Sequence, residues 1–395
     1  MSRRLFALLA VAVLVLSSTL PAASAPAATD TATLLVGVRR IHRDAVHAQA
    51  GYPVLNRLSG IGVDVVEVPR AEVLDALSTF TALPNVAFAE VNRRLRLTAE
   101  PNDEFVDDQY ALDRINARGG WADYDQGALW RRNGGARLAV VDSGIDMTHP
   151  EFDNRVSHCR SWLTGTGTAL PTCQDSQLHG THVSGIAAAT ANNRDGIAGI
   201  AYDSPIMALQ AFNSSGNALT ADVAAAIVYA ARNGAKVANY SFGAAGSSST
   251  ERRAVEFSAR RGVVQVAAAG NTGEEADPDD RNVGYPARLE EVVAVSATNQ
   301  RDNLAAYSSR GPAVDVAAPG SAILSTIPGT LLYARLDGTS MAAPHVAGLA
   351  ALLRSQGFGP AATRDRILNG ADDLGPAGHD TKCGHGRINM VRSLD

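Results

Sequence analysis

Lysine is almost missing from this 395-residue chain, since of its 35 basic residues only Lys236 and Lys382 are not arginine. Together with the many alanines, that scarcity points to codon bias in a GC-rich bacterial genome and not to a binding surface. An excess of positive charge is missing too. The 40 acidic residues leave a formal net charge of −5, so nothing in the composition would hold a nucleic acid or an anionic membrane surface. Cysteine is limited to three residues without a Cys-x-x-Cys spacing, and nothing recommends a thiolate metal site. No apolar run reaches the roughly 20 residues of a membrane-spanning helix, and no internal repeat or low-complexity tail is present. What remains, 46% hydrophobic and 19% charged, is ordinary for a globular chain with a substantial core.

Arg3 and Arg4 precede the apolar run Leu5 to Leu16, which breaks at Ser17-Ser18, and small residues from Ala22 to Ala28 supply cleavage-site material. Residues 1–28 therefore read as an export signal, with the general route and the twin-arginine route both open. An exported protein meets oxidising surroundings, so three cysteines allow one pair and one spare thiol. Cys159 and Cys173, close in sequence on either side of a Gly/Thr-rich loop, are the expected disulfide, with Cys383 left over. Three reduced thiols are the alternative.

Residues 33 to 97 form a small α+β unit of their own. Thr33 to Val38, Val63 to Val68 and Val86 to Val91 are strand-like, and Glu72 to Phe80 reads as a short helix with Val73, Leu74 and Leu77 on one face. Ala99 to Glu104 is a polar, Pro-containing boundary. Beyond it the grammar changes. Arg137 to Val141 is a buried strand ending at Asp142, Thr220 to Asn233 a helix stopped by Gly234, and Ala235 to Phe242 the next strand. Thr250 to Arg261, stopped by Gly262, and Val263 to Ala269 repeat the pattern. This alternation predicts an α/β fold, a doubly wound, mainly parallel sheet with helices on both faces. Such sheets bind ligands beyond the carboxyl ends of their strands, where both Asp142 and Asn271 fall.

Gly338-Thr339-Ser340-Met341-Ala342-Ala343-Pro344-His345 places a hydroxyl where a helix begins. A serine is a poor nucleophile until a base takes its proton, and His179 in His179-Gly180-Thr181-His182 is the candidate base. An imidazole needs a carboxylate to fix its tautomer and offset its charge, the role open to Asp142 in Asp142-Ser143-Gly144. The order acid, imidazole, hydroxyl is that of one hydrolytic triad lineage. An attacked carbonyl becomes an oxyanion, for which the Asn271 amide and the Ser340 N–H are candidate donors. Taken singly, Asp142 is a turn or cap residue, Asn271 a turn residue and Ser340 a helix cap; only the conjunction is specific. His179 and His182 share a helical spacing, but Gly180 stands where a zinc-peptidase motif needs Glu. His149, His182 and His345 read as structural histidines, and Glu274 to Asp280 as a solvated acidic loop.

Asp142-Ser143-Gly144, His179 to Gly185 and Gly338 to His345 resemble the three catalytic signatures of the subtilases, and Ala269-Gly270-Asn271 resembles their oxyanion segment. The similarity runs from about Asn102 to Val391, so a subtilisin-like peptidase domain is expected over 102–395. The resemblance implies Asp142 as charge orienter, His179 as general base, Ser340 as nucleophile and Asn271 as oxyanion donor. It also implies a secreted serine endopeptidase acting on polypeptides, with no cofactor for its chemistry. A monomer without membrane contact in the mature form is expected. Ser241-Phe242-Gly243 and Ala268-Ala269-Gly270 would line the cleft, pairing with the substrate backbone and shaping the pocket ahead of the scissile bond. Phe242 departs from the usual leucine, and a large apolar residue is the expected preference. Residues 33 to 97 resemble the inhibitory propeptide of the family, an intramolecular inhibitor released by self-cleavage between Leu97 and Asn102. Calcium often stabilises subtilases, and Glu151 and Asn193 fall where ligands of a structural Ca2+ occur, although Glu replaces the usual Asp and Arg194 intrudes.

Two other classes are weighed against this. An α/β-hydrolase lipase or esterase needs Gly-x-Ser-x-Gly and the order Ser, Asp, His, whereas Ala342 stands two residues after Ser340 and the order differs. A catalytically inactive subtilase-fold binding protein would lack a triad member, and none is missing.

Overall fold

The computed structural model describes residues 31–39, 42–92, 100–125, 134–152, 154–273 and 282–395. The chain divides into two units, Met1–Leu95 and Arg96–Asp395. The export signal, residues 93–99 and the acidic stretch Glu274 to Asp280 lie outside the described residues.

In the first unit, β1 (Thr31–Val38), α1 (Arg43–Ala50), β2 (Val54–Leu58), β3 (Val63–Pro69), α2 (Val73–Ala82) and β4 (Val86–Val91) build an antiparallel sheet in the order β2-β3-β1-β4. Leu34, Val36, Val66, Val68, Val46, Ala76 and Phe80 form its core. The inward face of α2 carries Ala76 and Phe80 beside Val73 and Leu77, while Leu74 is 79% exposed, so the expected apolar face is rotated away from Leu74. Two elements have no clear sequence signal. β2 is an edge strand with four of its five residues exposed. α1 buries Arg43 and His47, both paired with the fully buried Asp64 at 3.5 and 2.9 Å. Charges on an inward face hide helical periodicity.

The second unit begins with α3 (Tyr110–Arg114) and α4 (Ala117–Asp125) and then alternates. β5 (Leu138–Asp142), β6 (Val156–Ser161), α5 (His179–Ala188), β7 (Ile206–Gln210), α6 (Thr220–Arg232), β8 (Val237–Tyr240), α7 (Ser249–Arg260), β9 (Val264–Ala268), β10 (Val292–Thr298) and β11 (Val316–Pro319) follow in turn. A hairpin of β12 (Ile323–Thr326) and β13 (Tyr333–Leu336) leads into α8 (Thr339–Ser355), and α9 (Pro360–Asn369) and α10 (Met390–Leu394) close the chain. The seven strands β11-β10-β9-β8-β5-β7-β6 pair in parallel throughout.

Successive strand residues feed opposite cores, as a period of two requires. Leu138 and Val140 pack with α5 and α8, whereas Ala139 and Val141 pack with α6 and α7. Every residue of α8 from Met341 to Leu353 is buried, so this helix runs through the interior with no polar face. The chain leaves β5 toward β7 and β6 on one side and resumes with β8 on the other. The strand order therefore reverses between β5 and β8, and the loops after these strands open a crevice at the carboxyl edge.

Candidate active site

Asp142 closes β5 and is 4% exposed. Its Oδ1 accepts from Ser143 N at 2.7 Å and from His179 Nδ1 at 2.8 Å. Accepting from Nδ1 fixes the tautomer and leaves Nε2 free as a base. Burial opposes protonation of His179, but the charge and hydrogen bond of Asp142, with Asp175 adding to them, outweigh it, and the imidazole titrates above its ordinary value of 6.5. The ring remains 27% exposed, so its outer edge is open to a substrate.

His179 is the first residue of α5, and the residue before it, Leu178, has φ 84° and no capping side chain. The unpaired N–H groups of this helix start find partners elsewhere. His179 N donates to Gln177 Oε1 at 3.0 Å, Gly180 N to Ser143 Oγ at 2.9 Å, and Leu178 N and Thr181 N to the two oxygens of Asp175 at 3.0 and 2.9 Å. Each donor that a helix start leaves over is thereby satisfied by a side chain.

Ser340 is the second residue of α8. Pro344 lies four residues on and has no N–H to give to the Ser340 carbonyl, which instead accepts from Ser241 Oγ at 2.8 Å. Asn239 Nδ2 holds that hydroxyl at 2.9 Å. In return Ser340 Oγ donates to the Ser241 carbonyl at 3.0 Å, and no Ser340–His179 hydrogen bond forms among the described residues. Asn271 is oriented as firmly. Its Oδ1 accepts from Thr339 N at 2.9 Å and from Thr339 Oγ1 at 3.0 Å, which turns its Nδ2 outward. A Cβ at Gly338, where φ is 150°, would lie 3.5 Å from Asn271 Nδ2 and 3.6 Å from Ser340 N. Two donors thus border one small space, kept open by glycine beside the candidate nucleophile.

The cleft segments differ from one another. Gly243 is exposed, and the Phe242 ring packs at a tilt against Phe212 at 4.9 Å and Tyr240 at 5.8 Å. Ala268 and Ala269 are instead buried at 3% and 0%, one in each core. Ala269 N donates to Val295 O, Gly270 N to Thr339 Oγ1, and Gly270 O accepts from Ser309 N. With these groups bonded inward, the segment fixes Asn271 from behind.

His182 bonds the Ile323 and Ala334 carbonyls, and burial pushes it down to about 4. His345 bonds the Met341 carbonyl and is likewise pushed down to about 4 by burial. Both are neutral structural histidines. Cys159 and Cys173 form a disulfide, and Cys383 is a buried free thiol. Glu151 and Asn193 meet, but as a hydrogen-bonded pair. Asn193 Nδ2 donates to Glu151 Oε2 at 3.3 Å, while Asn193 Oδ1 accepts from Asp195 N at 2.9 Å, which fixes the amide with its oxygen turned away. Glu151 Oε1 accepts from Ile197 N at 2.6 Å and from the Tyr333 hydroxyl at 3.1 Å. Calcium requires converging oxygens, whereas donors converge here, and no group of three His, Cys, Asp or Glu able to hold a metal occurs among the described residues. The residues as arranged do not fit the ion.

Sequence reasoning missed Asp175, Thr339 and Pro344. An acidic residue just upstream of a helix start was the available signal for the first, and a proline four residues after the serine for the last.

A family model described as the subtilase family matches residues 133–386, and a fervidolysin N-terminal prodomain model matches 33–92. The chain is similar to thermitase of Thermoactinomyces vulgaris, 41% identical over 74% of this chain and 99% of that protein. It is similar also to the thermophilic serine proteinase of Bacillus sp. strain AK1, 41% identical over 79% of this chain and 73% of that protein. A solved protease structure from Pseudoalteromonas arctica PAMC 21717 superposes with a TM-score of 0.66 at 28% identity, covering 74% of this chain and 98% of that one.

Proposed function

The chain belongs to the subtilase family of serine proteases, and on that premise we propose that it is an exported, self-processing endopeptidase whose triad is Asp142, His179 and Ser340. The observation that carries this reading is the 2.8 Å bond from His179 to a buried Asp142 at the carboxyl edge of the sheet, on a helix packed against the one that bears Ser340.

In this reading the Ser340 hydroxyl swings on one side-chain bond from the Ser241 carbonyl to His179 Nε2, a tightening that substrate binding brings about in many hydrolases. As Oγ attacks the peptide carbonyl carbon, its proton passes to Nε2 and the carbonyl oxygen becomes an oxyanion. Asn271 Nδ2 and Ser340 N–H, which border the space at Gly338, donate to that oxyanion. The imidazolium then protonates the leaving amine, and water, activated by the same ring, releases the acyl group. Asp142 stays ionised throughout and stabilises the imidazolium. No cofactor takes part.

The exposed backbone at Gly243 offers an edge for an extended substrate, and the Phe212–Phe242 pair supports a preference for a large apolar side chain ahead of the scissile bond. Residues 33–97 act as an intramolecular inhibitor, a role supported by the prodomain match at 33–92, and self-cleavage between Leu97 and Asn102 releases the peptidase domain at 102–395. The N-terminal pattern of residues 1–28 supports export.

Secreted protein tests this directly. Casein hydrolysis is expected to disappear with phenylmethylsulfonyl fluoride and in Ser340→Ala, and the Ser340→Ala chain is expected to stay unprocessed. Casein hydrolysis that survives Ser340→Ala overturns the assignment, and a fully active chain still starting near Ala28 overturns the zymogen.

A further inference from the structure

The strongest arrangement outside the proposed triad surrounds a second buried carboxylate, Asp175, which is 5% exposed. Its Oδ1 accepts from Ser143 Oγ at 3.0 Å, Gln177 N at 2.9 Å and Leu178 N at 3.0 Å. Its Oδ2 accepts from Thr181 N at 2.9 Å and Thr181 Oγ1 at 2.6 Å. Five donors on one carboxylate are all the lone pairs it can offer and more.

The donors come from two places that the chemistry must hold together. Ser143 follows Asp142, and Gln177, Leu178 and Thr181 surround His179. Ser143 Oγ is the bridge, donating to Asp175 and accepting from Gly180 N at 2.9 Å. The segment carrying Asp175 is itself tied to the Asp142 side. Ile145 N donates to Cys173 O at 2.8 Å, Asp175 N donates to Ile145 O at 3.2 Å, and Gln210 Nε2 reaches both Ser143 O and Gln174 O. The Cys159–Cys173 disulfide anchors this segment to β6, the edge strand of the sheet.

We propose that Asp175 is a positioning residue for the reaction, caging the turn that starts α5 so that His179 stays within hydrogen-bond reach of Asp142. The proposal rests on the triad reading above. The negative charge of Asp175 also lies close enough to His179 to favour its protonated form, after the larger contribution of Asp142. The other titratable group facing His179 is His182 on the same helix, which is neutral, so the two carboxylates supply the charge that outweighs burial of the ring.

The test compares wild type, Asp175→Asn, Ser143→Ala and Ser340→Ala, each secreted as the full chain. kcat and KM on a chromogenic peptide are read across pH, with Tm recorded alongside. Asp175→Asn removes the charge and turns an amide donor toward existing donors. It is expected to lower kcat by about tenfold or more with KM within threefold, and to move the acid limb of kcat/KM to lower pH. Ser143→Ala breaks the bridge but keeps the charge. It is expected to lower kcat about threefold to tenfold without moving that limb. A folded Asp175→Asn with the wild-type acid limb overturns the proposal. So does Ser143→Ala with wild-type kcat, whatever becomes of Asp175→Asn. If wild type is inactive, or Ser340→Ala matches it, the triad reading falls instead.

Discussion

A single methyl group at Gly180 should separate His179 from Asp142. A Cβ there would sit 2.2 Å from Gly144 O, 2.9 Å from Gly144 N and 3.2 Å from Asp142 Cβ. None of these is the end of a flexible side chain, so no rotamer change relieves the clash. An ordinary contact begins at 3.4 Å, so Gly180→Ala must part α5 from the 142–144 segment by about 1.2 Å, the difference between 3.4 and 2.2. Those two segments carry His179 and Asp142. A displacement near 1 Å costs on the order of 10²-fold in rate, while overpacking costs about 1–3 kcal/mol of stability, a fall in Tm of roughly 2 to 5 °C for a domain of this size. kcat/KM on a peptide p-nitroanilide and a calorimetric scan measure the two effects separately. Gly359→Ala is the control, because no atom lies within 4 Å of its Cβ, and it should leave both values near wild type. A Gly180→Ala enzyme within threefold of wild-type kcat/KM would refute the argument that the His179 turn and the Asp142 loop are locked in register.

Replacing Cys159 and Cys173 together by serine opens a loop of sequence separation 14. Loop entropy sets that loss at about 3 kcal/mol, and denaturant unfolding of the double variant beside wild type checks it. Because donors and not carbonyl oxygens surround Glu151, chelation should leave Tm unchanged in a calcium-free scan; a fall of 5 °C or more, restored by calcium, contradicts that geometry. His182 and His345 titrate near 4 when folded and near 6.5 when unfolded. Their contribution is therefore complete above pH 6.5 and is lost as pH falls toward 4, because the unfolded chain takes up the protons first. Each contributes roughly 3 kcal/mol at most, and His345→Asn, which has no charge to gain, should flatten the decline of Tm over that window.

The alternation of apolar strands with capped helices made the doubly wound sheet legible, since residues 137–141 and 263–269 have the length and valine content of buried strands and 235–242, with one valine, was placed by the helices on either side of it. The candidate site residues were legible for another reason. Asp142, His179, Asn271 and Ser340 stand in short motifs whose meaning is chemical and local. What the chain concealed is set by tertiary contact. α1 faces the core with Arg43 and His47, whose partner Asp64 lies on another element. Leu74 looks apolar but faces solvent. Ala268 and Ala269 were expected to line the cleft, yet the alternation at the end of β9 sends their side chains into opposite cores. Asp175 accepts five hydrogen bonds from four residues beside Asp142 and His179, a pattern with no periodicity to betray it. Pairing Glu151 with Asn193 was legible as proximity; the direction of the amide, fixed by Asp195 N, was not.

The central claim is that His179 makes Ser340, alone among the serines of this chain, a nucleophile. Mass spectrometry of the secreted enzyme after treatment with phenylmethylsulfonyl fluoride tests it most directly. One adduct is expected, on the peptide containing Ser340, its rate of formation rising with pH as His179 loses its proton and collapsing in His179→Ala. Labelling on another residue, or an undiminished rate in His179→Ala, would contradict it.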